Sequence, residues 1–116
     1  MGSDDCLFCR IVRGEIPADI VAEGDSWLAF RDIQPQAPVH VLVIPRRHVE
    51  GVGSLGEEDR DLAGELLFAA AQVARSEGIA ETGYRAVTNV GERAGQSVFH
   101  LHVHVLGGRR MRWPPG

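Results

Sequence analysis

The sequence predicts an α+β fold: an antiparallel sheet with one long helix and one short N-terminal helix. Short β-rich apolar runs recur along the chain, joined by brief turn-forming links. A single segment, residues 54–78, keeps helical apolar spacing over several turns. One long helix with short links favours antiparallel strands covered on one face. At 116 residues the chain reads as one domain, residues 1–116, large enough to bury a core without staples.

The elements follow in order. Residues 5–13 place Leu7, Phe8, Ile11 and Val12 at the spacing of a short helix, which Gly14 can cap and Pro17 ends. Two β-rich runs flank Glu23-Gly24-Asp25 as a hairpin. A proline-punctuated link, DIQPQAP, leads into VHVLVIP, an apolar strand that stops at Pro45. In the long helix, Ser54 and Glu57 fit a capping box, and Leu62, Leu66, Ala69 or Ala70, and Val73 form the buried stripe. Gly78 is its stop. YRAVTNV and VFHLHVHVL read as the last two strands, separated by the glycine-containing loop GERAGQS. Pro114 and Pro115 prevent regular structure in the tail.

Composition narrows the function classes. Apolar residues make up 44 % and charged residues 24 %, ordinary for a globular chain. No apolar run approaches the roughly 20 residues that span a bilayer. The acidic N-terminal stretch MGSDDCLFCR does not suit a signal peptide, so a soluble cytoplasmic protein without a membrane partner is expected. A net charge of −4 does not draw the molecule to polyanions, and all twelve basic residues are Arg. Arg109, Arg110 and Arg112 cluster in the tail without an aromatic platform, so they read as solvated and no nucleic-acid partner is expected.

Two motifs carry chemistry. Cys6 and Cys9 form C-x-x-C, a spacing that in a cytosolic chain points to metal or redox chemistry before a structural disulfide. His100, His102 and His104 alternate with Leu101 and Val103. On a strand the three would share one face, expected to look outward to solvent or a cleft, while Phe99, Leu101, Val103 and Val105 pack under the helix. Neighbours would stand about 6.6–6.8 Å apart along the strand, too far for one metal to collect all three. Such a row offers groups that titrate near neutrality and serve as nucleophile, acid or phosphate ligand.

HLHVHVL resembles the signature of the histidine triad (HIT) family, His-φ-His-φ-His-φ-φ with φ apolar. FCRIVRGEIPADIVAE, LAFRDIQPQAPVHVLVIPRRHV and NVGERAGQSVFHLHVHVLGGRRMRWPPG are similar to segments of its Hint branch, the nucleoside phosphoramidases. The resemblance implies a homodimer sharing one continuous sheet. It also implies attack by the middle histidine on the α-phosphorus of a purine nucleotide conjugate, through a nucleotidyl-histidine and without a catalytic cofactor. On this resemblance His102 is the nucleophile, with His104 and Ser97 at the phosphate and leaving group. Gln96 and Asn89 lie in the phosphate region, His40 backs the triad, and Asp32 receives the ribose hydroxyls. Phe8, Ile11, Phe30 and Ile33 wall the base, while Arg31 stands where many relatives carry His.

Some relatives also use a Cys, Cys, His, His set that includes the first triad histidine. The resemblance therefore implies a structural zinc on Cys6, Cys9, His48 and His100. Dinucleoside polyphosphate hydrolysis, as in the Fhit branch, and a nucleotide-binding adaptor role are the alternatives; WPPG and GQSVFH favour the Hint pattern.

Overall fold

The computed structural model describes residues 5–116; the first four residues of the acidic N-terminal stretch lie outside it. Helix α1 (Leu7–Val12) is followed by strands β1 (Ile20–Glu23), β2 (Trp27–Arg31) and β3 (Val39–Pro45), helix α2 (Arg60–Ser76), and strands β4 (Tyr84–Val87) and β5 (Val103–Gly107). The five strands form one antiparallel sheet in the order β1-β2-β3-β5-β4. This is the predicted fold class, with β3 at the centre. Its seven residues, VHVLVIP, are nearly all buried because they meet protein on both faces.

Alternation along β3 sorts the core into two layers. Val41 and Val43, with Ala29, Val103 and Val105, pack against Leu66, Ala69, Ala70 and Val73 of α2. Leu42 and Ile44, with Leu28 and Phe30, pack against Phe8, Cys9 and Ile11 of α1. The sheet is therefore covered on both faces, not one. The short helix α1 supplies the second cover, concentrating Phe8, Cys9 and Ile11 over the sheet while Leu7 stays exposed.

Two local expectations need correction. Ser54 does not cap the long helix: Val52–Ser54 form a separate 3-10 turn, and Leu55 and Gly56 are extended. A second 3-10 turn, Glu57–Asp59, then leads into α2 at Arg60. The Asp59 carboxylate accepts the Gly56 N–H at 2.9 Å and pairs with Arg47. The Gly56 N–H bond, ahead of the Arg47 charge, holds its carboxyl below the usual range. Leu62 at the start of the stripe is only part-buried. The C-terminal stop is as expected: Gly78 has φ +78, and the Ile79 N–H reaches back to the Ala74 carbonyl at 3.0 Å.

The last strand is shorter than VFHLHVHVL. Strand pairing begins at Val103, and residues 98–102 approach it as a bent, unpaired segment. Phe99, expected in the core, is exposed.

The packing of α2 generates a test. Leu66→Ala opens the interior of the α2 layer and should cost about 2–5 kcal/mol. Gln72→Ala, on the exposed side, should stay within about 0.5 kcal/mol. Urea unfolding of both variants measures the difference, and equal costs would contradict this placement of the helix.

Candidate active site and metal centre

The expected outward-looking histidine face is covered. His100 has no solvent exposure and His102 only 7 %, because α1 lies across them. The Phe8 ring meets the His102 ring edge-on at 5.2 Å, His100 at 5.9 Å and Phe30 at 5.4 Å. Alternation still holds through residues 101–105: Leu101, Val103 and Val105 belong to the α2 layer. The histidines take the other side.

Each histidine has its protons assigned by its partners. The His102 Nδ1 lies 2.7 Å from the His100 carbonyl, an acceptor only, so Nδ1 carries the proton and donates it. That leaves a lone pair on Nε2, the form required of a nucleophile. His40 is set the other way: its Nδ1 accepts the backbone N–H of Gln36 at 3.0 Å. The His40 proton therefore sits on Nε2, which lies 3.0 Å from His104 Nδ1 and 3.4 Å from Asp32 Oδ2. His104 accepts at Nδ1 and keeps its own proton on Nε2, ready to donate. The chain of donation runs from the Gln36 backbone to His40 to His104.

Burial favours the neutral form of His40 and His104. It lowers His40 below its ordinary value, partly countered by the Asp32 charge. Burial, followed by the neighbouring His102 and His40, pushes His104 down to about 4.

Among the described residues, two groups bring ligand atoms within 4.8 Å of one another: Cys6, Cys9, His48 and His100, and Asp32, His40 and His104. Hydrogen bonding separates them. A metal-bound imidazole ordinarily donates its second N–H to a carbonyl or carboxylate. His100 does this, with Nε2 2.8 Å from the Pro45 carbonyl, and its Nδ1 faces Cys6 Sγ at 3.2 Å and Cys9 Sγ at 3.5 Å. His48 Nδ1 lies 3.3 Å from Cys9 Sγ. A tetrahedral zinc with ordinary bonds would set such N···S separations at about 3.6 Å, close to those present.

His40 fails the same test, because its second nitrogen accepts instead of donating. Binding a metal at Nε2 would displace the proton that links it to His104. The trio is held by the His40–His104 hydrogen bond with the Asp32 carboxylate beside it, and the Cys2His2 set has the chemistry of a metal centre. Local structure builds that centre. Cys6 is the N-cap of α1, its sulfur accepting the Cys9 N–H at 3.3 Å, so the C-x-x-C spacing puts both sulfurs at one helix end. Without a metal, burial and the bond to Cys6 push the Cys9 thiol up to about 11.

The structure brings together His102, His104, His40, Asp32, Phe8 and Phe30. Phe8, Ile11 and Phe30 are buried in the α1 layer, whereas Ile33 is 94 % exposed and adds nothing to that packing. The Gln96 amide is engaged with backbone: it accepts the Gly91 N–H at 2.8 Å and donates to the Glu50 carbonyl at 2.6 Å. It ties the loop 91–97 to the segment after β3. Ser97 is exposed and Asn89 part-buried, and no hydrogen bond among the described residues joins either to the histidines. Arg31 faces the α2 side, binding Glu77 at 2.6 Å and Asp19 at 3.3 Å, opposite Phe30. The Arg31 side chain therefore lies away from the histidine side.

Sequence reasoning missed three supports. The Thr88 hydroxyl donates to the His102 carbonyl at 2.9 Å, and the Val49 carbonyl receives the Leu101 N–H at 2.6 Å. The third is the Pro45 carbonyl on His100. Thr88, at the end of a strand beside Asn89, was the only one with a side-chain signal. Surface depressions of about 570 Å³ near Arg46 and Asp59, and about 610 Å³ near Tyr84 and Arg110, are not lined by the histidines.

An antiparallel five-stranded sheet with a histidine row at the entry to its last inner strand is the architecture of histidine triad proteins. The chain belongs to that family: residues 13–111 match the HIT domain model. It is 52 % identical over 114 residues to an uncharacterized HIT-like protein of Synechococcus elongatus, covering 98 % of this chain and 99 % of the relative. Among solved structures, a HIT family hydrolase from Legionella pneumophila superposes with a TM-score of 0.94 at 50 % identity, over 97 % of this chain and 100 % of that one. A histidine triad nucleotide-binding protein from Candida albicans gives 0.82 at 30 % identity, over 95 % and 83 %.

The depressed His104 value has a thermodynamic consequence. The folded state holds this imidazole neutral to about pH 4, while the unfolded chain protonates it near its ordinary 6.5. Its contribution is complete above pH 6.5 and is lost as pH falls towards 4. Wild-type protein should lose about 2–3 kcal/mol more than His104→Gln across that window in urea unfolding. Parallel losses would contradict the assignment.

Proposed function

We propose that this chain is a nucleoside phosphoramidase, cleaving the P–N bond of purine nucleoside 5′-phosphoramidates through a covalent intermediate on His102. The observation that carries this reading is the His102 tautomer, whose Nε2 lone pair stands beside a proton-donating His104, with ring centroids 4.9 Å apart. Family membership supports a hydrolase that binds nucleotides.

The chemistry follows from these positions. The His102 Nε2 lone pair attacks the α-phosphorus and a P–N bond to the ring forms. The bond to the leaving amine breaks, and the departing nitrogen takes a proton, with Ser97 as the proposed relay. The His104 Nε2–H donates to a phosphoryl oxygen, where charge builds up in the transition state. His102 acquires positive charge on attack, which the His100 carbonyl stabilises through Nδ1–H. Water then attacks phosphorus as the P–Nε2 bond breaks, releasing the mononucleotide and neutral His102, and the proton lost by water replaces the one that left with the amine. Asp32 is proposed to accept the ribose hydroxyls, with Phe8, Ile11, Phe30 and Ile33 around the base and Asn89 and Gln96 in the phosphate region.

Cys6, Cys9, His48 and His100 would hold a structural zinc. All four positions of a tetrahedral ion are then filled by protein, which suits a fold-stabilising role. Its uptake must remove the thiol protons, so affinity should fall with pH. A cytoplasmic homodimer is proposed as well, supported by the exposed apolar pair Leu67 and Phe68 on α2 and by the outer edge of β4.

Four measurements test this reading. Against an adenosine or guanosine 5′-phosphoramidate, His102→Ala should lose at least about 10³-fold in kcat, and retained activity contradicts the mechanism. A diadenosine polyphosphate cleaved faster than the phosphoramidate would shift the substrate class. Untagged protein from zinc-replete cells should carry about one zinc per chain, and Cys9→Ser less than about a tenth. Light scattering should give twice the 12.6 kDa chain mass.

A further inference from the structure

The nucleophile stands outside the sheet that would ordinarily hold it. β5 begins at Val103, so His100, Leu101 and His102 have no ladder partners. Three contacts shape their path: Leu101 N–H to Val49, the Thr88 hydroxyl to the His102 carbonyl, and the His102 ring to the His100 carbonyl. The last sets the nucleophile's tautomer and ring plane, so the position of the His100 carbonyl determines where His102 Nε2 points. The His100 ring is in turn held by Pro45 on one nitrogen and the two sulfurs on the other.

Helix α1 closes the same loop from above. It carries both cysteines and, between them, Phe8, whose ring edges onto His102, His100 and Phe30. The helix has only six residues, too short to hold its place by its own hydrogen bonds. Whatever ties Cys6 and Cys9 to His48 and His100 therefore also ties Phe8 to the nucleophile.

We infer that the Cys6–Cys9–His48–His100 centre is a positioning device for His102. Closing its four ligands on a divalent metal clamps α1 and Phe8 over the nucleophile and fixes the carbonyl that orients it. This inference rests on the metal reading and on His102 as nucleophile. A staple that served only the fold would change stability and leave turnover alone. A clamp acts on kcat, since a misplacement of about 1 Å can cost about 10²-fold in rate.

The test compares full-length zinc-loaded protein, the same protein stripped by chelator under reductant, Cys9→Ser, and Val73→Ala as a stability control in the α2 layer. Metal content, kcat, KM and amide hydrogen exchange are read on each. Stripping and Cys9→Ser should lower kcat at least about tenfold with KM changed less than about threefold. Exchange at the Leu101 amide should rise at least about tenfold more than at Val43 or Val105 in the central strands. Added zinc should restore the stripped protein on both counts. Val73→Ala should lower the melting temperature with kcat kept within about twofold.

Should Cys9→Ser fail to fold, His48→Gln removes only the half-buried ligand and is read in the same way. Unchanged kcat on stripping, unchanged Leu101 exchange, or an equal kcat loss in Val73→Ala overturns the inference. A protein that never binds zinc overturns it together with the metal reading, while leaving the His102→Ala result standing. If turnover of phosphoramidates is absent but zinc still governs Leu101 exchange, the substrate reading fails and the clamp is supported.

Discussion

A buried imidazole has two nitrogens to satisfy and no water to satisfy them, and His100 is the most buried of these rings. Its Nε2 takes the Pro45 carbonyl at the end of the central strand, and its Nδ1 faces the cysteine sulfurs of α1. Those two bonds connect the sheet to the short helix across the chemistry. They also fix a backbone carbonyl, and that carbonyl fixes His102. The α1 layer, the proposed metal centre and the tautomer of His102, the proposed nucleophile, all depend on this one side chain.

The three alternating histidines thus have different work because their second nitrogens have different partners. His100 donates to a carbonyl and offers its lone pair to the metal side. His102 donates to a carbonyl and leaves its Nε2 lone pair for the proposed attack on substrate. His104 accepts from His40 and keeps a proton to give. Sequence spacing made the three equivalent; backbone atoms at Pro45, His100 and Gln36 made them distinct. The same bookkeeping of protons separates the two candidate metal groups, since only the Cys2His2 set leaves its histidine nitrogens free to ligate.

Much of this was legible in the residues. Apolar runs and one helical stripe specified the α+β class and the order of elements along the chain, because burial dictates both periodicities; the order of strands within the sheet came from the structure. The histidine row and C-x-x-C were visible as titratable and thiol groups in unusual spacing. Other features were not, for definite physical reasons. Ser54 and Glu57 have the letters of a cap, but the extended Leu55–Gly56 step moves the helix start to Arg60, with Asp59 bonding Gly56. HLHVHVL alternates as a strand does, yet His100 and His102 lie before the ladder because their contacts run to Val49, Thr88 and α1. Supports that are main-chain carbonyls leave no trace in a sequence.

The central claim is that backbone partners assign the tautomers, with Nδ1–H on His102 and Nε2–H on His40 and His104. Nitrogen-15 NMR of the imidazole rings at neutral pH tests it most directly, by correlating each ring nitrogen with its carbon-bound protons. The account predicts a protonated Nδ1 and bare Nε2 for His102, and the reverse for His40 and His104. A His102 ring protonated at Nε2, or a His40 ring protonated at Nδ1, would contradict it.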